Sequence, residues 1–312
     1  MTESRKGAAR GFTLVELLVV IAIIGILVAM LIPAVSVAIK SAKTSTIAAE
    51  LNQLAQAIEN YKSKYGEYPP DFTNAPAFVN HLRKAFPRMN LGTLNLSTAT
   101  LPDGRALAKL DPAEAIVFWL GMLKNNPRSP LAGPGEPVSL FDFQDAQLTC
   151  PLFPDPALMQ SQTVGPDLDG DWWPEYQPKH GPGAPFVYFD GRVISNVYIY
   201  RDASYPAANS TLASSIGVVR PYRSNTPVDS TDNNRTQPYV GVDPSNTNSP
   251  NTKWVAPEKF QILCAGLDGK FTSDPAVVFK QFPNPVNYRM TDEDSDNLAS
   301  FSDGRTIGDC VP

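Results

Sequence analysis

From Leu17 to Ile39 the chain carries no charged side chain. A helix rises 1.5 Å per residue, so about 20 apolar residues cross a bilayer core, and this run is long enough to span one. Glu16 stands at its start, behind a basic leader that holds Arg5, Lys6 and Arg10. A carboxylate at the edge of such a run is costly and usually has a partner. A secretory signal has a shorter apolar core, followed by its small-residue cleavage site. Here the glycine, Gly11, comes before the run. A plain signal anchor accounts for the hydrophobicity and the basic flank but not for Glu16. Positive charge ahead of a span keeps that end cytoplasmic and puts the bulk of the chain outside the inner membrane.

The helix is expected to continue beyond the apolar run. Ile47, Leu51, Leu54, Ile58 and Tyr61 recur at spacings of four, three, four and three, one apolar face of an amphipathic helix. Lys40, Lys43, Glu50, Glu59 and Lys62 supply its polar character, and Gly66 with Pro69-Pro70 ends it. Residues 76–86 read as a short helix. Another is expected from Asp111, with Asp at the N-cap, Pro112 at the first position and Glu114 at the third. Ile116 to Leu120 is too dense in apolar residues for a surface stripe, which predicts burial.

The chain holds 30 prolines, about twice the usual share. Residues 125–183 accordingly read as an ordered but irregular insertion, and residues 201–253 as a long polar excursion. Between them, Phe186–Phe189, the turn Asp190-Gly191 and the stretch Arg192–Tyr200 read as a β-hairpin. Phe260–Cys264 reads as a further strand. Cys150, Cys264 and Cys310 are too few for a disulfide scaffold. One bridge is expected outside the cytoplasm, between Cys264 and Cys310, with three free buried thiols as the alternative.

The stretch Gly11-Phe12-Thr13-Leu14-Val15-Glu16-Leu17 resembles the leader of type IV pilins and of the pseudopilins of type II secretion. The resemblance implies cleavage by a membrane-embedded prepilin peptidase between Gly11 and Phe12, with N-methylation of Phe12. It also gives Glu16 an assembly role, neutralising the Phe12 amine of a neighbouring subunit. Two buried charges that are costly alone become tolerable as a pair. Pro33 falls where many members kink the long helix. Tyr65–Asp71 resembles the segment that follows this helix in major pseudopilins, and the tail from Phe260 to Phe301 resembles their C-terminus. The insertion between these regions is longer than a compact major pseudopilin needs.

The tail carries Asp292, Asp294 and Asp296, then Asn297, with Asp303 further on. Oxygen ligands at alternating positions suit Ca²⁺, which takes six to eight of them. Position 6 is Asn297 rather than Gly, and position 12 is Asp303 rather than Glu. The resemblance implies a calcium loop there, carried best by Asp292, Asp294 and Asp296 and less surely by Asp268. Its role would be structural. Asp167, Asp169 and Asp171, followed by Trp172-Trp173, form a weaker cation candidate, and burial is the plainer reading of the Trp pair.

Net charge is −5, and beyond the leader there is no concentrated basic run, which argues against nucleic-acid binding. The two histidines, His81 and His180, have no nucleophile motif beside them, and no P-loop, Gly-x-Ser-x-Gly, His-Glu-x-x-His or paired-cysteine spacing is present.

Together these features predict an α+β, type IV pilin-like fold. Residues 1–11 are read as the leader, 12–39 as the transmembrane and filament-core segment, and 40–66 as its amphipathic continuation. Residues 67–312 are read as a periplasmic head, with a long insertion at about 71–255 and a calcium-loop-like C-terminus at 260–312. The expected function is that of a non-enzymatic subunit of a type II secretion pseudopilus. Its expected partners are prepilin peptidase, copies of itself, other pseudopilins and the inner-membrane assembly platform. The alternatives are a minor tip pseudopilin, a type IV pilin or adhesin subunit, and a membrane-tethered hydrolase relying on two carboxylates.

Overall fold

The computed structural model describes residues 13–89, 100–101, 103–131, 134–161, 171–181, 183–192, 219, 221–224, 255–256, 258–271, 280–282 and 292–310. A single helix, α1 (Leu14–Tyr65), takes in both the apolar run and the amphipathic stretch and continues through Pro33. The Ser36 hydroxyl donates to the Pro33 carbonyl at 3.0 Å. The helix stops where Gly66 takes φ 89°, a conformation that favours glycine, and its N–H donates to the Lys62 carbonyl at 2.7 Å. Lys62 and Lys64 in the last turn suit the negative end of the helix dipole.

The chain divides into two compact units, Met1–Lys43 and Thr44–Pro312. In the first, every described residue is exposed up to Lys43. In the second, Ile47, Leu51, Leu54, Ile58 and Tyr61 are all buried, as their spacing predicts.

Against that face pack α2 (Ala75–Ala85), α3 (Ala115–Val117) and a three-stranded antiparallel sheet. Its strands, β1 (Val187–Asp190), β3 (Phe260–Cys264) and β5 (Leu298–Ala299), lie in the order β1-β3-β5. Val187 stands opposite Leu263, and Cys264 opposite Leu298. A second, parallel pair joins β2 (Tyr222–Ser224) to β4 (Lys280–Phe282). The layout is α+β and pilin-like. The first strand of the expected hairpin is β1, paired here with β3. Its expected partner, 193–200, lies outside the described residues.

Trp119 is the centre of the aromatic core. Its indole N–H donates to the Pro70 carbonyl at 2.9 Å, and its ring stacks on Phe72 with centroids 5.6 Å apart. The helix expected from Asp111 begins later, at Ala115; ahead of it Asp111 and Glu114 close a turn, in which Asp111 N–H donates to Glu114 at 2.8 Å and Ala113 N–H to Asp111 at 2.7 Å. It stays short, however, and loosens into a π-turn over Phe118–Met122. Beyond it Leu123 is extended, and the carbonyls of Leu120 and Leu123 accept from Leu140 and Val138. The whole segment is buried.

The irregular insertion holds a short helix, α4 (Pro156–Ser161), and adds buried Phe143, Trp173 and Tyr176 to the core. Glu50 of α1 ties it down, accepting from Gln147 at 3.4 Å and from the Lys179 backbone at 3.0 Å. Of the Trp pair, Trp173 is buried and donates to the Ala106 carbonyl at 3.0 Å. Asp171 is also buried and accepts from the Trp173 N–H at 2.6 Å; Asp167 and Asp169 lie outside the described residues.

All three cysteines are buried free thiols, so the expected Cys264–Cys310 bridge is not formed. Cys264 is enclosed in β3, where burial pushes its thiol up to about 12. The Cys310 thiol points to the Ser302 carbonyl at 4.0 Å.

Candidate functional site

The first site is the start of α1. Thr13 is the N-cap, and Glu16 is the third helical residue. The Thr13 N–H donates to Glu16 Oε2 at 2.8 Å, and the Glu16 N–H donates to Thr13 Oγ1 at 3.2 Å. This reciprocal capping box satisfies two donors that a helix start otherwise leaves open. Glu16 therefore has a partner within its own chain, which the sequence reading did not foresee although Thr-x-x-Glu is its signature. From Leu14 to Ile39 the apolar side chains that follow are exposed. Among the described residues α1 is the one helix long and apolar enough to cross a membrane, and none of its apolar window is buried. Gly11 and Phe12, the expected processing residues, lie outside the described residues.

The second site is the acidic tail. Asp292–Ser295 winds into one helical turn, α5. On a helix, residues two apart do not face each other, so Asp292 and Asp294 are not presented as on an extended calcium loop. Asp294 is buried and accepts from Asn297 Nδ2 at 2.8 Å. Asp303 sits in the left-handed region at φ 52°. Asp296 reaches instead to the turn after β3, where its Oδ2 accepts from the N–H groups of Leu267 at 2.8 Å and Asp268 at 3.1 Å. Partial burial raises the Asp296 carboxyl above its ordinary value. Its Oδ1 and the Oδ1 of Asn297 are buried without a hydrogen-bond partner among the described residues. The fold thus brings Asp268 and Asp296 together. Among the described residues, no three His, Cys, Asp or Glu side chains gather where they could hold a metal ion.

A third constellation was hidden in the sequence. His81 of α2 lies between Tyr61 of α1 and Glu67, with Nε2 2.8 Å from the Tyr61 hydroxyl and Nδ1 2.8 Å from Glu67 Oε1. Burial pushes the imidazole down to about 4, so it is neutral at pH 7. Nδ1–H then donates to Glu67, and Nε2 accepts from Tyr61. Burial works against the Glu67 charge, but hydrogen bonds from Lys84 and His81 outweigh it and hold the carboxyl low. Arg192 stands 3.7 Å from Glu67 and is paired with Asp190 at 2.8 Å. The relay resembles a catalytic one only in outline, because Tyr61 and His81 are 0% and 2% exposed. Glu67 and His81 border a cleft of about 340 Å³ together with Lys84, Asp190 and Arg192.

The comparisons bear on the first site. The family model described as the prokaryotic N-terminal methylation motif matches residues 6–32. Over 60 residues the chain is 47% identical to the type IV wide pilus major component PilA4 of Thermus thermophilus. The chain is type IV pilin-like. The match takes in 19% of this chain and 46% of PilA4, so the chain spans about half the length of that curated relative. No solved structure matches the chain. The likeness rests on the N-terminal motif and the apolar helix. The head is described by its own geometry.

Proposed function

We propose that this chain is a subunit of a type II secretion pseudopilus, made as a prepilin, cut between Gly11 and Phe12 and N-methylated on Phe12. The observation that carries the reading is the capped start of α1, followed by an apolar helix surface left wholly exposed from Leu14 to Ile39. Such a surface needs lipid before assembly and neighbouring helices after it. On this reading the basic leader stays cytoplasmic, the span lies in the inner membrane with Pro33 as its bend, and the head faces the periplasm. Glu16 exchanges its contact with Thr13 for the Phe12 amine of a neighbouring subunit. The subunit is structural; prepilin peptidase and an assembly platform are its partners, and other machinery supplies the energy.

A true pilus subunit is the second reading, favoured by the matched relative, itself a major component of a type IV wide pilus. For the tail we propose a structural calcium role centred on Asp268 and Asp296. What supports it is the buried Asp296 Oδ1, which has no hydrogen-bond partner among the described residues, with Asp268 held against the same carboxyl group through its backbone N–H. Two carboxylates are too few for a cation that takes six to eight oxygens, so carbonyls and water would complete the shell.

The test is intact mass and N-terminal sequencing of the protein from membranes of cells with and without prepilin peptidase. A mature chain beginning at N-methylated Phe12 is expected. An intact leader, or a cut elsewhere, sinks the subunit reading. Deleting the gene then separates the two destinations, since loss of protein secretion marks a pseudopilus and loss of surface filaments marks a pilus.

A further inference from the structure

Outside α1, one large apolar side chain among the described residues is exposed: Phe153, at 43%. It borders a cleft of about 140 Å³ walled by Leu101, Phe118, Met122, Leu123 and Leu131. The buried polar edge of that cleft is already matched. Arg105 is paired with Asp103 at 2.7 Å and lies over the Trp173 ring, 4.4 Å from its centroid. Lys124 is different. Its ammonium sits 3.8 Å from the centroid of the Phe153 ring, and it forms no ion pair among the described residues. An apolar cleft edged by a cation that has an aromatic face but no carboxylate beside it among the described residues suits an apolar side chain accompanied by a carboxylate.

The same surface displays such a pair. Asp155, two residues after Phe153, is exposed and also forms no ion pair among the described residues. One of its oxygens accepts from the Ala157 N–H at 2.9 Å. Within one copy, then, Lys124 and Asp155 flank Phe153 without pairing.

We propose that this patch joins two copies of the chain, Phe153 of each entering the cleft of the other and Asp155 of each meeting the other's Lys124. A patch that carries both the inserting side chain and its receptor is self-complementary, the form of a two-fold contact. The aromatic ring supplies the buried anchor, and the charge pair sets the register. The contact uses no residue of α1, so it stands or falls separately from the pseudopilus reading.

The experiment uses the full chain in detergent, with p-benzoylphenylalanine at position 153 and equal amounts of ¹⁵N-labelled and unlabelled protein. Crosslinks of mixed isotope content between position 153 and the Met122–Leu123 segment are expected. Lys124→Asp and Asp155→Lys should each lower their yield about fivefold, the scale of an exposed ion pair. The double reversal should restore it to within about twofold. Asp155→Asn, which retains an acceptor for Ala157, should lower it by a similar factor and so separates charge from folding. Crosslinks confined to single copies, crosslinks to another segment, or a double reversal as weak as the singles would overturn the proposal.

Discussion

The Tyr61 hydroxyl and His81 Nε2 lie 2.8 Å apart at a point closed to water, and the same imidazole holds Glu67 through its other nitrogen at 2.8 Å. His81→Leu would leave a buried hydroxyl and one oxygen of Glu67 without their partner. Each buried orphan costs about 1–3 kcal/mol, so a loss of about 3 kcal/mol is expected in urea unfolding. Tyr61→Phe added to His81→Leu should cost little more, because the two share one interaction. A wild-type midpoint for His81→Leu would remove the relay from the account of stability.

The pH dependence of stability should be the sum of opposed effects. His81 is pushed down by burial to about 4. The unfolded chain therefore takes up this proton first, and the stability it lends, complete above about 6.5, declines as pH falls toward 4. Asp71 is pushed up by burial to about 6, and burial raises Asp190 in the same direction. Here the folded chain binds the proton first, so this contribution is present at low pH and is lost as pH rises through 6. Between pH 6 and 4 the two partly cancel. Asp71→Asn should expose the His81 effect as a steeper fall in Tm across that interval; an unchanged slope would contradict the assignment.

A feature is legible in the sequence where the residues that make it are adjacent. Helix α1 was legible because its length, its period and its stop at Gly66 are written in adjacent residues. Strand β3 was legible for the same reason. The relay was not, since Tyr61, Glu67 and His81 come from different segments that only the fold brings together. The tail was half legible: the acids are where the pattern put them, but Asp292–Ser295 winds as a helical turn, which disperses side chains that an extended loop would converge. The expected bridge failed because each cysteine is enclosed in its own surroundings, a property that cysteine counting cannot supply.

Gly266 is held at φ 66°, and a Cβ there would collide with the backbone carbonyl of Asp296. Gly266→Ala therefore combines a disfavoured conformation with a backbone clash. It should push the acidic turn away from β3 and lower Tm by several degrees. Amide exchange at Leu267 and Asp268, whose N–H groups Asp296 now holds, should speed up in the same variant. Unchanged exchange there would mean that the turn does not depend on this close approach.

At the other end, Thr13→Val keeps the shape of the N-cap residue and removes its hydroxyl. The Glu16 N–H, now 3.2 Å from Thr13 Oγ1, loses its acceptor. Amide exchange at Glu16 should rise in detergent-solubilised chain while the helix beyond the first turn is unaffected. If Glu16 exchanges partners on assembly, Thr13→Val should leave filament yield close to wild type while Glu16→Ala abolishes it. Equal losses from both would show that the cap itself, and not the free carboxylate, is what assembly requires.

Asp296 has a raised carboxyl and a buried oxygen with no hydrogen-bond partner among the described residues, so bringing up a divalent cation would relieve an unfavourable arrangement. Adding millimolar Ca²⁺ at pH 7.5 should raise Tm, and excess chelator should reverse the gain. Mg²⁺ should do less, because it demands a tighter octahedral shell and dehydrates reluctantly. Protons compete for the same oxygens, so the gain should shrink as pH falls toward 5. In Asp296→Asn the gain should vanish, while Asp303→Asn, in the left-handed turn outside this pair, should retain it. A calcium effect that survives Asp296→Asn would place the cation elsewhere, and a Tm indifferent to calcium and chelator would leave the acids as hydrogen-bond acceptors for the turn and nothing more.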